Sequence, residues 1–225
     1  MILNSPAPSP AAGVMERLKT TTQPLHDAAE QHPVQRALFK GRLPKSGYVA
    51  MLGQLFLMHQ SLENALRGLL ERRPGLGSIV QTWQYQEPYL REDLSYFGVA
   101  VDAINPMPAT RALLKAIERA SHEAPMAILG MHYVVEGSNN GSKFSAMAVR
   151  KAYGLEPGKG DRYLDPYGDA QREKWAGFKA AMNAADFTDK DVDELLFGAG
   201  AMFDGIARMS DDLLPHVSTS ETPSA

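Results

Sequence analysis

The stretch VVEGSNNGSKF, residues 134–144, lies inside a run that otherwise has helical character from Pro125 to about Tyr153. It contains Gly137 and Gly141, four residues apart, and two adjacent asparagines. Glycine costs roughly 1 kcal/mol relative to alanine inside a helix, and asparagine is also a poor helix former. On a helix both glycines lie on one side, where bare backbone lets a large flat molecule approach closely. A close helix crossing or a kink explains the spacing equally well.

Helical periodicity continues on both sides of this stretch. In residues 46–75 apolar side chains recur every three or four positions, Ser46 is a plausible N-cap, and Gly75 follows the predicted end. Thr188 and Asp191 have the spacing of a capping box at the start of another helix. No alternating strand pattern of useful length occurs. The sequence therefore predicts an all-α bundle of seven or eight helices.

Length and composition limit the domain organisation and the partners. The chain of 225 residues is long enough for one substantial core, predicted for residues 14–214. Residues 1–13 and 215–225 are rich in Pro, Ser, Ala and Thr and are predicted to be disordered tails. The net charge of −3 predicts no nucleic-acid partner, and no apolar run approaches the roughly 18 residues of a membrane span. The absence of cysteine excludes thiolate chemistry and, with no signal-peptide pattern, favours a cytoplasmic protein.

His26 is the most suggestive of the six histidines. It lies four residues before Glu30, so on a helix the two share a face and the carboxylate can order the imidazole. Pro24 either lies in the first turn of a helix capped by Thr22 or kinks a longer helix that begins near Met15. A partly exposed histidine on an ordinary amphipathic helix accounts for the same pair.

Taken together, these two segments resemble the heme oxygenase family. LKTTTQPLHDAAE, residues 18–30, followed by FKGRLP and YVAMLGQLFLMHQSLENAL within residues 39–66, is similar to the N-terminal part of that family. YVVEGSNNGSKF, residues 133–144, resembles the distal helix of the bacterial branch, whose usual form is close to Y-V-x-E-G-S-x-L-G-G. The resemblance covers most of the chain from Leu18 to about Met209. It implies a single-domain bundle in which heme lies between a proximal helix and a kinked distal helix.

The resemblance also implies which residues meet the heme. The heme-binding residues it implies are Lys19, His26, Glu30, Tyr133, Gly137, Gly141, Lys179 and Phe203. His26 is the implied iron ligand and the only implied metal-ligating residue, and Glu30 is the partner of its imidazole. Lys19 and Lys179 are expected to meet the heme propionates.

The distal residues implied to take part in catalysis are Gly137, Ser138, Asn140 and Gly141. Asn140 stands where the bacterial pattern has Leu, and Ser142 stands where it has a small apolar residue or Gly, so the distal surface is more polar than usual. Asn139 is expected to face solvent. The implied reaction cleaves heme b, which is both substrate and cofactor, to biliverdin, ferrous iron and carbon monoxide. It uses O2 and an external electron donor such as a ferredoxin or flavodoxin, and a bilin acceptor protein is a candidate partner.

Two alternative functions remain open from the sequence. Related helical folds host nonheme di-iron oxygenases, and the chain offers three carboxylate–imidazole pairs: Glu118 with His122, His132 with Glu136, and His26 with Glu30. Such a site has no need of Gly137 and Gly141. A non-catalytic heme carrier or sensor, which keeps His26 but has lost turnover through its polar distal surface, is the second alternative.

Overall fold

The computed structural model describes residues 13–217, and in this range the chain forms α-helices and short 3-10 turns with no strand. The described α-helices are α1 (Val14–Gln31), α2 (Pro33–Phe39), α3 (Lys45–Arg72), α4 (Glu87–Tyr96), α5 (Pro108–Glu123), α6 (Pro125–Tyr153), α7 (Gln171–Ala184), α8 (Asp189–Asp212) and α9 (Leu214–Val217). The all-α prediction is confirmed, with α9 as a single turn added to eight longer helices. None of the helices in residues 13–217 combines the length and apolar character needed to cross a membrane.

The predicted tails fall almost entirely outside the described residues. At the N-terminal side, Gly13 is the N-cap of α1, which matches the predicted boundary. At the C-terminal side, the predicted boundary between 214 and 215 falls inside α9, so residues 215–217 belong to a helix.

The proline in the first segment lies inside a long helix. Pro24 is in the interior of α1, which begins at Val14, so the longer of the two predicted helices is the one observed. Thr22 does not cap a helix, because its Oγ1 donates to the Leu18 carbonyl one turn earlier, at 2.8 Å. The imidazole of His26 therefore lies well within a continuous helix rather than at its start.

Two predicted helix starts have different outcomes. Thr188 and Asp191 form the capping box at the start of α8, as predicted, with the Asp191 amide donating to Thr188 Oγ1 at 3.1 Å. The predicted N-cap at Ser46 is wrong, because α3 already begins at Lys45. The Tyr48 amide donates to the carbonyl of Pro44, whose extended backbone ends the preceding loop and occupies the N-cap position.

The backbones of α6 and α8 touch where they cross. An added Cβ at Gly130 of α6 would lie 2.0 Å from the Leu195 carbonyl oxygen, and one at Gly198 of α8 would lie 2.0 Å from that of Ala127. Since such distances are far inside van der Waals contact, only glycine fits at either position. This reciprocal contact fixes α6 and α8 against each other.

We call the region between α1 and α6 the slot. Both helices pack against α8 and α7, whereas they share at most a marginal contact with each other. One buried apolar cluster joins α1, α3, α5, α6, α7 and α8, and a second joins α2, α3 and α4 to the later part of α6. The two segments that carry His26 and the glycines are thus held on either side of α8.

We expect Gly198→Ala to lower the free energy of unfolding by about 1 to 3 kcal/mol or more, because the methyl group forces α6 and α8 apart. Gly200→Ala on the same helix is the matched control, since no atom lies within 4 Å of its added Cβ. It should raise the free energy by roughly 0.5 to 1 kcal/mol through helix propensity. Urea unfolding followed by circular dichroism measures both, and equal stabilities would contradict the role of the crossing.

Candidate functional site

The proximal side of the slot is formed by His26 on α1. Its side chain is 51% exposed, with Nε2 3.8 Å from Glu30 Oε1 and Nδ1 3.8 Å from Asp27 Oδ1. Both separations exceed hydrogen-bond distance, so the two acids make only electrostatic contacts with the ring. The ring also stands edge-on to Phe203 of α8, with the centroids 6.2 Å apart. The structure therefore brings together three of the predicted heme residues and adds Asp27, which the family pattern did not indicate.

The distal helix α6 continues through the glycine-rich stretch without a break in helical hydrogen bonding. Three polar side chains bond back to carbonyls of the same helix: Ser138 Oγ to Val135 at 2.7 Å, Asn140 Nδ2 to Gly137 at 2.8 Å, and Ser142 Oγ to Ser138 at 2.9 Å. Such bonds compete with the main-chain ladder and tend to bend a helix. These three side chains therefore compete with the main-chain hydrogen bonds of α6 while they remain on its surface.

The two distal glycines have different surroundings. An added Cβ at Gly141 would meet nothing within 4 Å, so open space lies in front of it. An added Cβ at Gly137 would lie 3.4 Å from the indole of Trp175 on α7. Gly141 thus leaves room for a ligand, whereas packing of the indole accounts for at least part of the need for glycine at 137.

The expectation that Asn139 faces solvent is wrong. Asn139 is only 2% exposed, whereas its neighbour Asn140 is exposed. The reason is the helical turn, because the side of α6 opposite the glycines faces the interior and position 139 falls on that side. The Asn139 side-chain nitrogen has no hydrogen-bond partner among the described residues.

Tyr133 on α6 contacts both α1 and α7. Burial raises the pKa of its phenol, and a hydrogen bond with the Thr22 side chain on α1 lowers it. Its ring is also tilted against that of Trp175, with the centroids 6.1 Å apart. Trp175 in turn stacks on Phe178 at 5.4 Å, and Lys179 Nζ lies 6.0 Å from the Trp175 ring centroid. Sequence reasoning missed Trp175, although its position four residues before Lys179 on a helix was a usable signal.

The two predicted propionate lysines lie at the same level of the α1–α7 pair. The Met15 amide donates to Asn183 Oδ1 at 3.1 Å, which holds α1 against α7. The contacts of Tyr133 place a later part of α1 beside an earlier part of α7, so these helices run in opposite directions. Lys19 is one turn after Met15 and Lys179 one turn before Asn183, and both are exposed. Two cations therefore lie at the same level of this helix pair.

Large apolar side chains are exposed beside the imidazole and Gly141. Leu25 precedes His26 and is 39% exposed, and Phe144, one turn after Gly141, is 59% exposed. Phe144 faces Phe39 of α2 with the ring centroids 6.4 Å apart. Apolar surface of this kind gains about 25 cal/mol per Å² when it is covered. These features fit a flat apolar ring that carries an iron ion and an anionic edge. They are an imidazole, helix backbone without side chains, exposed apolar side chains, and two lysines at one level of α1 and α7.

The residues of the di-iron alternative are not brought together. Glu118 and His122 lie exposed on α5, whereas His132 and Glu136 are buried in α6. No group of three His, Cys, Asp or Glu side chains suited to a metal ion occurs in residues 13–217. Burial, and then the charge of His59, lower the pKa of His132 to about 3. Burial in the core therefore keeps this imidazole neutral, and its Nε2 lies 3.4 Å from Gln84 Oε1.

Glu136 is a buried acid directly before the first distal glycine. It is fully buried, and the Tyr167 hydroxyl donates to its Oε2 at 2.8 Å. Burial raises its pKa to about 7, although the bond from Tyr167 and the charge of Lys174 act in the opposite direction. Its other carboxylate oxygen has no hydrogen-bond partner among the described residues. The Glu136 carboxyl on the buried side of α6 therefore titrates near neutral pH.

A separate depression of about 600 Å³ lies on another side of α7. Its lining includes Trp83, Gln84, Lys174 and Phe178, and none of the residues expected to bind heme. We give it less weight than the slot, because it holds neither His26 nor the glycine face.

Comparison with known proteins agrees with this geometry. A sequence model of the family described as "Heme oxygenase" matches residues 12–212. The chain belongs to the heme oxygenase family. A heme oxygenase from Xanthomonas campestris pv. campestris (strain 8004) is 30% identical over 174 residues, which cover 76% of this chain and 92% of that protein. The family assignment makes the chain a heme-binding, heme-degrading oxidoreductase.

Solved structures share the fold of this heme oxygenase family member. Heme oxygenase-2 from Synechocystis sp. PCC 6803, determined in complex with heme and NO, superposes with a TM-score of 0.86 at 19% identity, covering 93% of this chain and 88% of that one. Heme oxygenase from Leptospira interrogans gives a TM-score of 0.79 at 23% identity, covering 88% and 98%. At these identities the likeness extends to the fold alone.

We expect Glu136→Gln to change how stability depends on pH. The folded pKa of about 7 lies above the ordinary value of 4.5, so the wild-type protein loses stability as pH rises between these values, because the folded state binds the proton more tightly. Relative to the glutamine variant, the wild type should lose about 1 to 3 kcal/mol over this window, and the difference should be constant outside it. Urea unfolding across the window tests this, with the exposed Glu118→Gln as the charge control. Parallel wild-type and Glu136→Gln curves would contradict it.

Proposed function

We propose that this heme oxygenase family member cleaves heme b to biliverdin, ferrous iron and carbon monoxide, using O2 and electrons from an external donor. The proposal is supported by the exposed His26 on α1 and the side-chain-free Gly141 on α6, which lie on two helices that both pack against α8. Heme is the substrate here and also binds and activates the O2 that attacks its own ring.

Each residue of the slot has a role in this proposal. A neutral imidazole at His26 ligates the iron, and Glu30, with Asp27 on the other side of the ring, orients it. Lys19 and Lys179 hold the propionates by charge-assisted contacts, each worth roughly 1.5 to 3 kcal/mol if well formed and less where water screens them. Tyr133 and Phe203 pack against the ring. Their combined effect is to fix one orientation of the porphyrin in the slot.

The distal residues keep side chains away from the reacting edge. Gly141 presents backbone only, and Ser138 and Asn140 bond to carbonyls of their own helix. Hydroxyl and amide groups in these positions can order water for proton delivery without acting as a strong acid or base.

The electron donor and the site of action belong to the same proposal. A ferredoxin or flavodoxin supplies the electrons, a bilin acceptor protein takes up the product, and the cytoplasm is the proposed location because such donors act there. A non-catalytic heme carrier or sensor is the second candidate. Asn140 and Ser142 favour it, since both increase distal polarity relative to the family pattern.

The direct test is to titrate purified protein with hemin and then add ascorbate or a ferredoxin system under air. We expect a one-to-one complex with a Soret band, followed by biliverdin. His26→Ala should abolish biliverdin formation and weaken, without eliminating, porphyrin binding, because apolar burial and the lysines remain. His122→Ala, an exposed histidine on α5, is the control and should match the wild type. Stable heme binding without bilin supports the carrier, and unchanged turnover in His26→Ala removes that residue from the site.

Gly141→Leu tests the distal side. The leucine side chain should project into the open space and block ring cleavage while heme still binds through His26. Gly177→Leu on α7 introduces the same side chain at another glycine with nothing within 4 Å, and should leave cleavage intact. Single-turnover spectra measure both variants. Cleavage at the wild-type rate in Gly141→Leu would show that this glycine does not border the reacting edge.

A further inference from the structure

A row of polar contacts ties α6 to the chain segment that leads into α7. Glu136, Asn140 and Lys143 recur at about one-turn intervals on α6, beside the face that carries Gly137 and Gly141. Each contacts the segment 167–171, which we call the strap. The contacts are Tyr167 Oη to Glu136 Oε2 at 2.8 Å, Gln171 Nε2 to Asn140 Oδ1 at 3.2 Å, and Lys143 Nζ to Asp169 Oδ1 at 3.3 Å.

The exposed side of α6 has little apolar packing between residues 138 and 144. Ser138, Asn140, Gly141 and Phe144 are exposed, and no atom lies near the missing side chain at 141. Because a glycine face has no side chains, its distance from any bound ring depends on the backbone position alone. On this exposed side of α6 the strap therefore adds a restraint on where the glycine face lies, besides the crossing with α8.

Asn140 differs from the other residues of this row, because its amide group donates one hydrogen bond and accepts another. Its Nδ2 donates to the Gly137 carbonyl, and its Oδ1 accepts from Gln171 at the start of α7. The side chain thus connects the backbone of a distal glycine to another helix. Ser142 also bonds back to α6, at the Ser138 carbonyl, but the bond stays within the helix. Leucine, the usual family residue at position 140, can make neither bond.

We propose that Asn140, through its bond to Gln171, is a positioning residue that sets the lateral placement of the distal glycine face and thereby selects which porphyrin edge is cleaved. The buried contact between Glu136 and Tyr167 anchors one end of the strap, and the exposed Asn140–Gln171 bond adjusts the other. This selection of the cleaved edge rests on the proposed function, whereas the strap contact itself does not.

The first experiment uses heme-free protein and measures amide hydrogen exchange in the strap. Asn140→Leu and Gln171→Ala should each raise exchange at residues 167–170 by about three- to tenfold, and the double variant should not exceed either single one, because one bond is lost in all three. Ser142→Ala, which loses only a bond within α6, should leave the strap unchanged. The strap is the readout because leucine also strengthens α6 by its helix propensity.

The second experiment measures the biliverdin isomer ratio of the heme-loaded variants. Asn140→Leu and Gln171→Ala should shift the ratio in the same direction, and Ser142→Ala should keep the wild-type ratio. Unchanged strap exchange, or additive effects of the two substitutions, overturns the positioning role. A strap effect with an unchanged isomer ratio overturns the selection of the edge. If the wild-type protein binds no hemin while the strap effect is present, the proposed function fails and the strap contact stands.

Discussion

The backbone contact between α6 and α8 is the constraint on which the remaining arrangement depends. Gly130 and Gly198 let the two helices touch at carbonyl oxygens, and this fixes how α6 passes over α8. Seven residues further along α6 the chain reaches Gly137, still on the side that faced α8 at the crossing. The glycine face therefore projects from the crossing toward the slot, opposite His26 on α1. Without the crossing, the glycine face would lose its fixed position relative to α1, which packs on α8 independently.

Glu136 and His132 lie on the buried side of α6, and burial shifts their pKa values in opposite directions. It raises the pKa of Glu136 to about 7 and lowers that of His132 to about 3, so each group is driven toward its uncharged form. These two side chains therefore add little net charge to the otherwise apolar core against which α6 packs.

Features set by local chemistry could be predicted from the sequence. The bounds of α6, the capping box at Thr188 and the shared face of His26 and Glu30 depend on residues a few positions apart. The site prediction also came from local patterns, since it relied on two motifs that resemble a family. The burial of Asn139 could not be obtained in this way, because three consecutive polar residues between two glycines give no hydrophobic direction to the helix. Trp175 and the strap depend on contacts between segments far apart in the chain. A single sequence does not indicate which residues of two such segments lie opposite each other.

The exposed rings of Phe39 and Phe144 have a consequence for the protein before it meets its ligand. The protein displays these two aromatic side chains to solvent, 56% and 59% exposed and in contact with each other. Contiguous apolar surface of this kind promotes self-association, and a ligand that covers it removes the tendency. The free protein is therefore expected to self-associate more readily than a complex in which a ligand covers these two rings.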